Sequence, residues 1–217
     1  MSATKDVLDK IRELRNKVNK REAKALANDA LIFEHFKPVD ISSEVHLCEQ
    51  AGLNSFNYWQ QHKGAQQCVN SIHSSTAGMY GEAVAEKYLT DFGFHVDANW
   101  REWIDGEADD TKADLVISGG DEVAIDVEVK TITRATDPKG QLTVKHLEKY
   151  AAEDKLVICV RYDEANRVGY VYSIEQAVDI KAYSNKELNL YDQECYVAMV
   201  KNHCSSEVNT DVNFKWK

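Results

Sequence analysis

Residues Ala113 to Lys130 read ADLVISGGDEVAIDVEVK. Ala113–Ile117 is apolar apart from Asp114. Gly119 and Gly120 then mark a tight turn, where positive φ is tolerated. From Val123 the chain alternates: Val123, Ile125, Val127 and Val129 take one face of a strand, and Asp126, Glu128 and Lys130 take the other. The stretch therefore reads as a β-hairpin. Its apolar face expects a core beneath it. Two acids and a lysine on the opposite face, with an aspartate at the start of the partner strand, ask for a chemical reason.

A metal site supplies one. Mg²⁺ takes one or two carboxylates and keeps several waters, so Asp114 and Glu128 suit it, with the Val129 carbonyl as a further oxygen. Lys130, two residues after Glu128, brings an ammonium beside the ion. A Lewis acid, an activated water and a cation for developing charge are what phosphodiester hydrolysis requires. For Asp114 to share a face with Glu128, its cross-strand partner must be even-numbered. A three-residue loop, Gly119 to Asp121, pairs Asp114 with Asp126 and leaves Glu128 on the diagonal, roughly 7–8 Å away. Asp126 reads as a supporting or solvent-facing residue. The same D-x-E-x-K pattern also fits a solvated strand face with a weak ion pair.

Asp114 followed by Glu128-Val129-Lys130 resembles the core of the PD-(D/E)XK nuclease superfamily. Glu82, in the helical stretch GEAVAEKYLTDFGF ahead of the hairpin, strengthens the resemblance. Ala113 stands where the motif has proline. The resemblance covers about residues 76–175, in the order helix, strand, strand, helix, strand. It implies a restriction-endonuclease-like α/β fold, a mixed sheet that starts antiparallel and is flanked by helices. It implies Mg²⁺ held by Glu82, Asp114, Glu128 and the Val129 carbonyl, with Mn²⁺ as a substitute, and Lys130 orienting or activating water. The activity it implies is DNA cleavage by a type II restriction-like homodimer. A structure-specific junction, repair or recombination nuclease is the alternative, and a non-catalytic DNA-binding protein is the rival of another class. The intact acids and lysine weigh against that last reading.

The chain has 217 residues. A hydrophobic fraction of 43% is enough for a sizeable core, and a net charge of −10 argues against indiscriminate nucleic-acid binding. It leaves room for a nuclease with a local basic surface. The charged start MSATKDVLDKIREL has no signal-peptide pattern, and no apolar run reaches membrane-span length. Five cysteines without C-x-x-C spacing suit reduced thiols in the cytoplasm. Residues 4–36 read as a basic helix with Val7, Ile11, Leu14 and Val18 along one seam. Residues 1–75 read as a helical extension for dimer contacts or DNA recognition, and 76–217 as the nuclease core with a C-terminal elaboration.

Asp40 or Ser42-Ser43 reads as a cap for a helix from Glu44, and Ser74–Thr76 as a cap for the Glu82 helix ending at Gly93. The amide-rich stretch 54–75 reads as polar helix surface, with base reading as the alternative. Phe94–Trp103 alternates like a strand. Arg134, Lys139 and Lys145, beyond the hairpin, are candidate DNA contacts. Gln141–Asp154 reads as a helix with Leu147 inward. Leu156–Val160 is fully apolar, hence a central strand, and Val168–Tyr172 its neighbour. Ser173 reads as the cap of a helix over 174–180, and ECYVAMV and VNFKWK as strands.

Overall fold

A computed structural model describes residues 37–63, 71–108, 111–118, 124–133, 139–183, 185–188 and 194–199. In chain order the elements are β1 (Val39–Asp40), α1 (Val45–Lys63), α2 (Ile72–Asp91), β2 (His95–Ala98), α3 (Trp100–Asp105), β3 (Leu115–Ser118) and β4 (Ile125–Ile132). There follow β5 (Lys139–Thr143), α4 (Val144–Ala152), β6 (Leu156–Asp163), β7 (Val168–Gln176), α5 (Ala177–Tyr183), β8 (Asn185–Leu188) and β9 (Glu194–Met199). The basic helix expected over 4–36, the turn Gly119–Asp121, Arg134 and the terminal VNFKWK lie outside the described residues.

The six-stranded main sheet has the order β1-β7-β6-β4-β3-β2. It is antiparallel except between β4 and β6, which run parallel. The chain is thus a mixed α/β fold, as its element order implied. A second sheet, β5-β9-β8, was not foreseen. Leu156 to Val160 is wholly buried, and β6 is flanked by β4 and β7, which bears out its reading as a central strand.

Both faces of β6 are covered, and the register says by what. Glu128 lies beside Val157 and Lys130 beside Cys159, so these four side chains share a face. The α4 residue Tyr150 bonds Glu128 from that side, and α4 packs with α5. The opposite face carries Ile158, Val160, Val127 and Val129, in one core cluster with Val84, Leu89 and Tyr80 of α2. Part of the stretch read as an extension is built into this same core. Ile41, Val45, Cys48 and Ala51 belong to the cluster, and β1 pairs with β7.

Several local expectations change. Ser71, not Ser74–Thr76, caps α2: its hydroxyl accepts from the Ser74 N–H at 3.1 Å. Serine three residues ahead competes equally well on propensity, and the helix simply starts earlier. Asp40 takes the Ser42 N–H (2.8 Å) in a turn before α1, which starts at Val45. Gly93, with φ +84°, follows the end of α2 as expected. Phe94–Trp103 is a strand only over His95–Ala98; from Trp100 it is helix α3. Trp100 and Trp103 sit three apart, a spacing that serves a helical face, and both are buried. The helix expected from Gln141 begins at Val144, after β5. β7 continues to Gln176, so Ser173 lies in a strand rather than capping a helix.

Candidate active site

The hairpin forms with the parity expected and a register two residues different. Leu115 pairs with Val127, Val116 with Asp126 and Ile117 with Ile125. One more step puts Asp114 opposite Glu128, not Asp126. The shift moves the midpoint of the connection one residue along the chain, from Gly120 to Asp121. A shift of two leaves every side chain on its face, which is why the acids still meet.

β3 starts at Leu115, so β4 is uncovered by β3 from Glu128 onward. The Asp114 side chain fills that place: its Oδ2 accepts the Val129 N–H at 2.7 Å. The N–H and C=O of a strand residue lie on the same edge, so the Val129 carbonyl also faces the gap. Asp114 is held from behind, since the Asn99 N–H donates to its carbonyl oxygen at 3.0 Å. Next to Asn99, the Trp100 indole donates to Glu86 (2.8 Å), and Arg101 pairs with the same carboxylate (2.8 Å). These bonds tie α3, and with it Asp114, to α2.

α2 approaches β4 closely because residue 81 is glycine. A Cβ there would lie 1.7 Å from the Thr131 hydroxyl oxygen. Glu82 is the next residue, buried at 9% exposure. Burial pushes its carboxyl well above the usual range, and the charge of Asp114 pushes the same way against the pull of Lys130. Asp114 is likewise raised to about 7, by burial first and then by Glu128. Glu128 behaves oppositely. Burial would raise it, but Lys130, Lys155 and the Tyr150 hydroxyl together hold it below the usual range. Lys130 is kept protonated: its burial is outweighed by Glu128 and Asp114. Glu82, Asp114, Glu128 and Lys130, separated by up to 48 positions in the chain, thus share one electrostatic site. Among the described residues, no three Asp, Glu, His or Cys side chains are gathered closely enough to enclose a metal ion as they stand.

Two members of the site were missed by reading the sequence. Tyr150 is buried on α4, three residues after inward-facing Leu147; that spacing was the available signal. Its ring centroid lies 5.7 Å from Lys130 Nζ and 5.5 Å from Lys155 Nζ. Lys155 is 4% exposed and ion-pairs with Asp126 (3.5 Å), Glu128 (3.6 Å) and Glu153 (3.4 Å). Nothing in its sequence context marks it, because a lysine before an apolar strand ordinarily faces water. Asp126, 49% exposed on its side chain, is the supporting residue that was expected.

Asn54, in the amide-rich stretch, is otherwise engaged: its amide donates to the Trp103 and Ile104 carbonyls at 3.0 and 2.9 Å, closing the end of α3. Tyr58 packs edge-on against Trp103 at 5.3 Å. Of the candidate DNA contacts, Arg134 and the side chains of Lys139 and Lys145 lie outside the described residues. Cys48 and Cys159 are buried and outside any disulfide, and burial raises Cys48 to about 12. Among the described residues no helix is long and apolar enough to cross a membrane.

No protein-family model, curated protein or solved structure matches this chain.

Proposed function

We propose that this protein is a metal-dependent phosphodiesterase that cuts DNA, with a site of the PD-(D/E)XK kind on a restriction-endonuclease-like fold. The observation that carries the reading is the meeting of Glu82, Asp114 and Glu128 around Lys130, where β4 loses its β3 partner. A solvated ion pair would need none of this burial.

The residues fit a divalent cation on their own chemistry. Glu82 and Asp114 are pushed toward their protonated forms by burial and by neighbouring carboxylates, which is what a site short of positive charge does. Hard oxygen donors from carboxylates and one open strand-edge carbonyl suit Mg²⁺, with Mn²⁺ as a substitute. When bound, the ion supplies Lewis acidity and a lowered water pKa. Asp114 and Glu128 would hold it through carboxylate oxygens, Glu82 would supply a third by moving in from α2, and the Val129 carbonyl lies on the same strand edge. In the metal-free site Glu128 and Asp114 hold Lys130 cationic. As a cation it would orient the attacking water by donating hydrogen bonds and would offset charge developing on the phosphate oxygens. Arg134, Lys139 and Lys145 follow β4 in the chain, and the reading puts phosphate contacts on them.

Sequence-specific duplex cleavage by a homodimer is the form we put first, and structure-specific cleavage the second. The test is incubation with Mg²⁺ on unmodified plasmid DNA, a synthetic four-way junction and RNA, beside a Glu128→Ala control. Discrete duplex fragments that vanish in the control support the first form, and cutting confined to the junction supports the second. No cleavage of any substrate with Mg²⁺ or Mn²⁺ overturns the enzymatic reading and leaves DNA binding without catalysis.

A further inference from the structure

We infer that Lys155 is a positioning residue of this site: it anchors one oxygen of Glu128 so that Lys130 is free to leave the other. The inference rests on the proposed hydrolytic reading for its purpose, but its geometry stands on the structure.

Glu128 is held by two lysines, one on each oxygen. Lys130 Nζ is 3.3 Å from Oε2, and Lys155 Nζ is 3.6 Å from Oε1. The two differ in freedom. The Lys130 side chain is 29% exposed, on the strand beside Glu128 itself, whereas Lys155 is 4% exposed. A hydrolytic site needs Lys130 to turn toward water and phosphate. If Lys130 were the sole partner of Glu128, that turn would leave a buried carboxylate without its hydrogen-bonding cation.

The backbone around Lys155 is built to hold it in place. α4 ends with the Lys155 N–H bonded back to the Tyr150 carbonyl at 3.0 Å, across Asp154 in the left-handed region at φ +54°. This is a Schellman-type end, in which the residue after the left-handed one turns back onto the last turn of the helix. Here that contact is Lys155 against the Tyr150 ring. On the other side the Ala177 N–H donates to the Lys155 carbonyl at 3.0 Å. A non-glycine residue at positive φ is uncommon and costs energy, and this one delivers Lys155 to the carboxylates. Asp126 and Glu153 bracket the same ammonium at 3.5 and 3.4 Å. Lysine at such depth is rare unless paired, and the three carboxylates supply the pairing. The residue can therefore stay charged and fixed while Lys130 moves.

The experiment has two arms. The first needs no activity: a double-mutant cycle of Lys155→Met and Glu128→Gln, read by urea denaturation of the metal-free protein. Direct anchoring predicts that the two changes are non-additive by tenfold or more in the folding equilibrium constant. Additive effects would overturn the inference and place Lys155 on Glu153 and Asp126 alone. The second arm reads DNA turnover. Lys155→Met should lower kcat by about 10–100-fold, the usual effect of losing the group that orients a metal ligand. KM and metal-free DNA affinity should not change, and Lys155→Arg should recover most of the loss. A loss of DNA affinity would overturn it by making Lys155 a phosphate contact. A wild-type protein that cleaves nothing, with coupling intact in the first arm, refutes the nuclease reading and leaves the anchoring in place.

Discussion

Replacing Gly81 by alanine should destabilise the protein, while the same change at Gly78, one turn earlier in α2, should stabilise it. Glycine inside a helix costs about 1 kcal/mol relative to alanine, so both variants share that gain. At Gly78 a Cβ meets nothing within 4 Å, and the gain is kept. At Gly81 it would lie 1.7 Å from Thr131 Oγ1, 2.9 Å from its Cβ and 3.1 Å from its Cγ2. Rotating the threonine moves the oxygen but not the Cβ, so α2 must also draw back from β4. Overpacking of this kind costs about 1–3 kcal/mol. The difference between the two variants cancels the propensity gain and isolates that clash. Glu82 moves with the helix, so Gly81→Ala should also lose activity. Thr131→Ala removes two of the three clashing atoms. The Thr131 hydroxyl is buried with no hydrogen-bond partner, so its removal alone should cost little. Urea denaturation of the three single variants and of Gly81→Ala/Thr131→Ala measures each step. Recovery by Thr131→Ala should be partial, because its Cβ stays 2.9 Å from the new methyl, and a Gly81→Ala protein as stable as Gly78→Ala would refute the close approach of α2 to β4.

Asp114→Asn and Glu128→Gln should abolish cleavage while the protein stays folded by circular dichroism; unfolding of both would give the carboxylates a structural role instead. The metal-free protein should lose stability as pH rises from about 4 to about 7. The raised carboxyls of Asp114 and Glu82 keep protons in the folded state that the unfolded chain has released. For Asp114, about 7 against an ordinary 3.8 sets a ceiling of about 4 kcal/mol, reduced by its partial exposure. Denaturation in chelator at pH 5 and pH 8 reads this, Mg²⁺ should restore stability at pH 8, and a flat profile would contradict it. Asn54→Ala should cost about 1–2 kcal/mol by freeing the two carbonyls at the end of α3; an unchanged denaturation midpoint would show that water replaces the amide at no cost.

The residues of the site were legible in the chain because strand alternation has a period of two. That period alone puts Asp126, Glu128 and Lys130 on one face, and it survives a register error of two, so Asp114 and Glu128 meet although their pairing differs from the one expected. The run Leu156–Val160 declared a strand covered on both sides for a similar reason: no face of it can bear water. Where two periods fit the same letters, local reading divided wrongly. Phe94, Val96, Ala98 and Trp100 alternate like a strand, whereas Trp100 and Trp103 are spaced for a helix, and their burial against α1 and α2 decided for the helix there. Caps shifted because several hydroxyl residues in a row are equivalent until packing fixes where a helix begins.

What the sequence alone determined was therefore the list of chemical groups and the face each occupies, both being properties of residue type and of short periodic geometry. Only the tertiary structure decided how those groups act on one another. Gly81 lets α2 come down on β4 and bring Glu82 to Asp114, across an interval that no local pattern spans. The end of α4 turns Lys155 inward, where proximity sets the charge of each neighbour. Coulomb interaction and desolvation depend on distance and burial in space. For that reason three similar carboxylates in the chain diverge in the fold, two pushed toward their protonated forms and one held toward its anion.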